Sequence, residues 1–235
     1  MSKPDTMQAL VTGANRGLGL ALTRQLLADG HRVIATCRQP GRAVELNHLA
    51  GDYPGHLRVL PLDLTSDAGI AELAREAALV AGPINLLINN AGVLHAGERF
   101  GQLTSGNLQE AFRSNAAGAV LLVQALAAQL ANGSVIANIS SQLGSITNTT
   151  AFRTPSYAIS KAALNMGCRL LAAELAPRDI VVLALHPGWV RTDMGGSGAD
   201  IDADESAAGL LQVIANVTPA QNGSFLDWRG ETLPW

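Results

Sequence analysis

The stretch MQALVTGANRGLGL, residues 7–20, determines how the chain begins to fold. Its short apolar run, residues 7–11, predicts a strand that is buried on both faces. Glycines follow at positions 13, 17 and 19, and a helical stretch begins at Gly17. Such glycines allow a tight turn, and the N–H groups at a helix start attract negative charge. The stretch therefore predicts a phosphate-binding turn, although a plain strand–helix connection has the same local sequence.

The alternation of strand and helix continues along the rest of the chain. Short runs rich in Val, Ile and Leu predict strands at residues 7–11, 32–36, 57–60, 85–88, 134–139, 180–185 and 224–226. Longer stretches rich in Ala and Leu predict helices at residues 17–29, 66–80, 108–131, 156–176 and 203–217. This pattern predicts an α/β fold of the Rossmann type: a doubly wound parallel sheet of about seven strands with helices on both faces. No linker or repeat divides the chain, so residues 1–235 are expected to form one domain.

Composition excludes several classes of protein. The 235 residues are 48% hydrophobic and 15% charged, a composition that excludes a disordered chain. The formal net charge of −3 gives no bulk attraction to nucleic acid or to anionic membranes. Residues 1–5 show no signal-peptide pattern, and the apolar stretch 116–131 is too short to span a bilayer. Two cysteines, Cys37 and Cys168, cannot form a disulfide framework. The histidines lack metal-ligand spacing, so no metal site is expected. We therefore expect a cytoplasmic protein.

Four further motifs follow predicted strands or begin a helix: Asn89-Asn90-Ala91-Gly92, Ser140-Ser141, Tyr157 with Lys161, and Pro187-Gly188. Together with the glycine turn, they make the chain resemble the short-chain dehydrogenase/reductase family over nearly its whole length. Segments 144–146, 186–196 and 233–235 are similar to those of the C-factor and sniffer-type carbonyl reductases within it. The stretch between the serine pair and the tyrosine is slightly longer than is usual in that family.

Tyr157 and Lys161 are four residues apart, so both project from one face of a helix. An ammonium beside a phenol favours the phenolate, which predicts a lowered pKa for the tyrosine and a role as a proton donor to a carbonyl oxygen. The alternative is an exposed pair on a solvated helix face. The resemblance implies that Ser141 hydrogen-bonds the developing oxyanion. It also implies that Asn115 holds a water that completes a proton relay from Lys161, where the alternative is a tolerated surface residue.

The resemblance also implies which residues bind a dinucleotide. Asp63 would meet the adenine, although it could instead cap a helix. Thr192 would reach the nicotinamide carboxamide. The implied cofactor-binding set is Gly13, Asn15, Arg16, Gly17, Leu18, Gly19, Arg38, Asp63, Leu64, Asn90, Ala91, Gly92, Tyr157, Lys161, Pro187, Gly188, Val190 and Thr192.

The end of the second strand indicates which dinucleotide is preferred. NAD-binding proteins of this kind place an acid there to accept from the ribose hydroxyls, and this chain has Cys37-Arg38 instead. Arg38 and Arg16 are placed to meet a 2′-phosphate, and a guanidinium suits phosphate well. The alternative is that both arginines are simply solvated. We therefore predict NADP(H) as the cofactor.

These inferences predict an NADP(H)-dependent carbonyl reductase that transfers a hydride to a ketone or aldehyde. An NAD-linked alcohol dehydrogenase and a C-factor-like signalling protein with little turnover remain alternatives. Loops 93–100, 142–153 and 189–199 would enclose an apolar small-molecule substrate, and the glycine-rich part of the last loop could close as a lid. The Ala-rich stretches 116–131 and 158–176 could form a homo-oligomer interface, in a dimer or a tetramer. The apolar lining would come from Leu143, Phe152, Trp189 and Met194.

Overall fold

The computed structural model describes residues 6–235. The segment 1–5, where no signal peptide is expected, lies outside these residues. The strands are β1 Gln8–Thr12, β2 Arg32–Cys37, β3 Leu57–Pro61, β4 Ile84–Asn89, β5 Leu130–Ile139, β6 Val181–His186 and β7 Phe225–Asp227. The α-helices are α1 Gly17–Ala28, α2 Val44–Asp52, α3 Asp67–Val80, α4 Ser105–Phe112, α5 Gly118–Leu126, α6 Pro155–Leu175 and α7 Ala203–Asn216.

The strands form one parallel sheet in the order β3-β2-β1-β4-β5-β6-β7. Apolar side chains from α1 and α7 pack on one face of it, and side chains from α3, α5 and α6 pack on the other. The predicted doubly wound α/β fold is therefore confirmed. The strand order reverses between β1 and β4, and ligands bind at such switch points, beyond the carboxyl ends of the strands.

The helix predicted at residues 108–131 is wrong in its continuity and in its end. A π-helical turn, Arg113–Ala117, separates α4 from α5, and the chain enters β5 at Leu130. An Ala- and Leu-rich composition favours a helix but does not locate a π-turn, which depends on tertiary contacts. None of the helices in the described part of the chain is both long and apolar enough to span a bilayer.

The strand β7 forms one edge of the sheet, and the residues that follow it fold back over it. Leu226 and Thr232 form an antiparallel bridge, and the amide of Leu233 donates a 2.8 Å hydrogen bond to the Phe225 carbonyl. The rings of Phe225 and Trp235 stack with centroids 5.4 Å apart. The tail therefore occupies the open side of β7.

Candidate active site

The glycine turn after β1 is packed too closely to accept side chains. Gly13 has a φ of +66°, and a Cβ there would lie 2.9 Å from the Cα of Ala91. A Cβ at Gly19 would overlap the Gly13 carbonyl oxygen and lie 2.5 Å from Nδ2 of Asn90. The Thr12 hydroxyl accepts 3.0 Å hydrogen bonds from the amides of Asn90 and Ala91, which joins the turn to the end of β4. This cradle of backbone at a helix start fits a phosphate group.

The helix α6 brings Tyr157 and Lys161 to the carboxyl end of β5. Both side chains are buried, and the Ser141 hydroxyl hydrogen-bonds the Tyr157 hydroxyl. Nζ of Lys161 donates a 2.6 Å hydrogen bond to the carbonyl oxygen of Ile139 and lies 5.5 Å from the centre of the Tyr157 ring. The alternative of a solvated Tyr–Lys pair is therefore wrong.

Burial determines the titration of Tyr157 and Lys161. It raises the pKa of Tyr157 to about 12, although the hydrogen bond with Ser141 acts to lower it. Burial also lowers the pKa of Lys161 to about 8. The expectation of a lowered tyrosine pKa is wrong for this arrangement, because a phenolate at this buried position would be desolvated.

Asn115 lies in the π-helical turn and is buried, so it is not a surface residue. Its Oδ1 accepts a 2.7 Å hydrogen bond from the Val93 amide, and its Nδ2 donates to the Val93 carbonyl at 2.8 Å and to the Ser160 hydroxyl at 2.9 Å. The side chain therefore ties the segment after β4 to α6. The water relay implied for Asn115 stays a prediction.

The carboxyl ends of β2 and β3 carry the residues expected to meet the adenosine. Asp63 accepts hydrogen bonds of 2.7 and 2.9 Å from the hydroxyl and amide of Thr65, which lower the pKa of its carboxyl group; Arg38 adds a smaller effect. The cap of α3 is Ser66, so the alternative role of Asp63 as a helix cap is wrong. Arg42 also lines this end. No motif pointed to it, because it lies between the predicted elements.

The segment after β6 lies opposite the glycine turn. A Cβ at Gly17 would lie 3.1 Å from Cγ2 of Thr192, and Arg16 forms a 2.6 Å ion pair with Asp193. His186, at the end of β6, has its pKa lowered to about 4 by burial, so its ring is neutral at physiological pH.

One cleft of about 1850 Å³ joins the glycine turn to the buried tyrosine. Leu143, Trp189 and Met194 line it as expected, but Phe152 does not; its ring packs edge-on against Phe100 at 5.4 Å. In residues 6–235, no group of three or more His, Cys, Asp or Glu side chains could hold a metal ion. Asn115 is the one predicted site residue that does not line the cleft, because its side chain is hydrogen-bonded to Val93. The predicted site residues that line the cleft are Gly13, Asn15, Arg16, Gly17, Leu18, Gly19, Arg38, Asp63, Leu64, Asn90, Ala91, Gly92, Ser141, Tyr157, Lys161, Pro187, Gly188, Val190 and Thr192.

Comparisons with known proteins point to one family. A family model described as short chain dehydrogenase matches residues 7–201. C-signal of Myxococcus xanthus is 38% identical over 156 residues, covering 66% of this chain and 94% of that protein. The NADPH-bound carbonyl reductase from chicken fatty liver superposes with a TM-score of 0.93 at 38% identity, covering 99% of this chain and 100% of that one. The carbonyl reductase Sniffer of D. melanogaster gives a TM-score of 0.93 at 32% identity, covering 98% and 100%.

Proposed function

We propose that this chain, which belongs to the short-chain dehydrogenase family, is an NADP(H)-dependent carbonyl reductase. The observation that carries the proposal is the buried cluster of Tyr157, Lys161 and Ser141 at the carboxyl end of β5. It lies in the same cleft as a glycine turn that fits a phosphate. A proton donor and a dinucleotide cradle in one cleft suit reduction of a carbonyl group.

The proton chemistry follows from the two shifted pKa values. With a pKa of about 12, Tyr157 keeps its proton at neutral pH and is available to donate it to a carbonyl oxygen. Ser141 hydrogen-bonds the same oxygen as negative charge develops on it. With a pKa of about 8, Lys161 is mostly protonated at neutral pH, and its charge stabilises the phenolate that remains. When bound, NADPH supplies the hydride that adds to the carbonyl carbon.

The preference for NADP(H) rests on the arginines at the far end of the cleft. Arg38 and Arg42 both line the end of β2, where no acid is present to accept from a ribose hydroxyl. Two guanidinium groups suit a 2′-phosphate. The relative from chicken fatty liver is described with NADPH bound, which supports the same choice.

The substrate proposed is a small carbonyl compound with an apolar body. Leu143, Trp189 and Met194 line the catalytic end of the cleft. The neutral ring of His186 adds no charge there at physiological pH. These three apolar side chains favour ketones and aldehydes without a sugar or phosphate group.

We also propose that the protein is a homo-oligomer. Ile159, Met166 and Leu170 are more than half exposed on α6, at 53, 62 and 66%. Their spacing places them along one face of the helix. A second copy of the chain that covered this face would bury all three side chains, and sedimentation analysis of the wild type and of Met166→Glu tests this. A dimer that the substitution dissociates supports the proposal, and a wild-type monomer contradicts it.

A second candidate function is a cofactor-binding signalling protein with little turnover. The similarity to the relative named C-signal is the observation that favours it. The two candidates differ in turnover, because a binding protein needs the cradle but not the buried proton donor.

A carbonyl panel assayed by NADPH absorbance tests the proposed function. We expect turnover of apolar ketones or aldehydes with NADPH and a higher KM with NADH. Fluorescence titration of NADPH runs in parallel, because tight binding without turnover on any carbonyl favours the signalling candidate. A preference for NADH, or oxidation of alcohols alone, favours the NAD-linked dehydrogenase alternative.

A further inference from the structure

The catalytic helix α6 begins without a cap from its own residues. Thr154 is the N-cap but has a left-handed backbone, with φ of 40° and ψ of 57°. Its side chain makes no capping hydrogen bond, and its Oγ1 is buried without a partner among the described residues. Pro155 follows and has no N–H to donate. The first helical amide that needs an acceptor is therefore that of Ser156, directly before Tyr157.

Glu98, from the segment after β4, supplies that acceptor. Its Oε2 accepts a 2.6 Å hydrogen bond from the Ser156 hydroxyl and a 3.1 Å hydrogen bond from the Ser156 amide. Its Oε1 accepts a 3.0 Å hydrogen bond from Asn107 in α4. Burial acts to raise the pKa of Glu98, but these donors outweigh it and hold the pKa below its usual value. The carboxylate is thus ionised at neutral pH, which suits the positive end of a helix.

The segment that carries Glu98 is itself fixed to α6 at other points. Asn115 binds both backbone groups of Val93 and also Ser160. Phe100 packs edge-on against Phe152, two residues before the N-cap. Because the segment is anchored on both sides of Glu98, its carboxylate fixes where the first turn of α6 starts relative to the end of β4.

We propose that Glu98 is a positioning residue that acts through Ser156 to hold the Tyr157 hydroxyl against Ser141; this inference rests on the proposed function. Tyr157 is the third residue of α6, so its place depends on the geometry of that first turn. If the turn frays, the tyrosine hydroxyl moves away from Ser141 and from the carbonyl oxygen. Displacement of a reacting group by about 1 Å can cost about 10²-fold in rate.

Three variants test this at a temperature where each is folded. Glu98→Ala should lower kcat about tenfold to a hundredfold with the Kd for NADPH unchanged. Glu98→Gln keeps an acceptor for Ser156 and should remain within about threefold of the wild type. Glu174→Ala removes an exposed acid at the other end of the same helix and serves as the control. Equal losses in kcat for the Ala and Gln variants would contradict the capping role.

A double-mutant cycle shows whether Glu98 acts through Tyr157. In a Tyr157→Phe background, Glu98→Ala should cause no further loss of kcat, because the group that it positions is already gone. A loss of the same factor in both backgrounds would overturn the proposal and place the effect of Glu98 elsewhere. A purely structural role would lower the melting temperature without this dependence on the background.

Hydrogen exchange provides a readout that needs no turnover. The amides of residues 156–158 should exchange faster in Glu98→Ala than in the wild type, while those near Glu174 should not change. Unchanged exchange at residues 156–158 would overturn the proposal even if the wild type is an active reductase. Faster exchange in a protein without reductase activity would support the anchoring and reject the proposed function, so the two failures are distinguishable.

Discussion

Arg16 and Asp193 form an ion pair of 2.6 Å that connects the glycine turn after β1 with the segment after β6. Both side chains are largely exposed, at 68 and 76%. Contacts inside the segment after β6 also hold its shape. The Trp189 ring N–H donates a 2.9 Å hydrogen bond to the Gly195 carbonyl, and the side chain of Ile201 is buried. The pair therefore crosses the mouth of the cleft, and it occupies an arginine that was predicted to meet a phosphate.

Asp193→Asn should remove the charge partner of Arg16 and leave the guanidinium available to the cofactor. Exposed ion pairs contribute about 0–1 kcal/mol, so we expect NADPH to bind up to about fivefold more tightly. Amide exchange across residues 190–200 should be faster in the free variant than in the free wild type, and NADPH should slow it in both. Asp200→Asn, in the same segment, is the control. Equal exchange with and without NADPH would leave the glycines of this segment as a passive connection.

Tyr157→Phe removes the proposed proton donor and keeps the ring. The loss of general acid catalysis should lower kcat by about 10²–10⁴-fold, with the affinity for NADPH little changed. Steady-state kinetics and fluorescence titration measure the two effects. Tyr53→Phe changes the other tyrosine of the chain and should leave kcat as it is. Near-normal turnover by the Tyr157 variant would reject the assignment.

Arg38→Asp should shift the preference from NADPH towards NADH. A carboxylate repels the 2′-phosphate and accepts from a ribose hydroxyl, and a hydrogen bond to a charged group contributes about 1.5–3 kcal/mol. We therefore expect a change of roughly ten- to a hundredfold in the ratio of the two dissociation constants. Arg75→Asp, on the exposed face of α3, is the control. A ratio that does not move would show that Arg38 does not contact the phosphate.

Lys161→Met should change how stability depends on pH. The pKa of Lys161 falls from 10.5 to about 8 on folding, so between these values the unfolded chain binds the extra proton and the wild type gains stability as pH rises. The gain is roughly 3 kcal/mol at most, and the variant lacks it. Urea unfolding of both proteins from pH 7 to 10 measures the difference between their free energies of unfolding. The contributions of the other titrating groups are common to both proteins and cancel in that difference. Parallel curves would mean that the ammonium is not desolvated.

Two glycine substitutions compare a position inside the phosphate cradle with a position far from it. Gly19→Ala should abolish NADPH binding and destabilise the protein, because its Cβ would overlap the Gly13 carbonyl. Gly51→Ala, in α2, meets no atom within 4 Å and should raise the free energy of unfolding by roughly 0.5–1 kcal/mol. Calorimetry and NADPH titration test both variants. Normal binding by the Gly19 variant would contradict a tightly packed cradle.

Much of the architecture could be predicted from sequence, because buried parallel strands are short apolar runs and their helices carry wide apolar faces. The helix α2 was not predicted, because Leu46 is its sole buried side chain within the described residues and no apolar periodicity marks it. The start of β5 at Leu130 was not predicted either, since the predicted strand began at residue 134. Leu130 pairs with Ile84 across a register shift, and the exposed residues Asn132 and Gly133 interrupt the apolar run.

The site was predictable where chemistry demands particular residue types at a fixed spacing, as with Tyr157 and Lys161. It was not predictable where a residue acts through a distant contact. Glu98 has no local signal, because its partner Ser156 is 58 residues away. The pKa of Tyr157 depends on its burial and on the Ser141 side chain, and neither follows from the spacing of Tyr157 and Lys161 along the helix.

The tail that covers β7 has a consequence for association between molecules. An exposed edge strand offers unpaired N–H and C=O groups to the sheet of another molecule, and this is a common route to aggregation. Here the residues after β7 pair with Leu226 and Phe225, and the Trp235 ring closes over the end of the edge. The Trp235 carbonyl also accepts a 2.8 Å hydrogen bond from Thr147, in the loop between Ser141 and Tyr157. Resistance to edge-to-edge association and the shape of the loop 142–153 therefore depend on the same few residues.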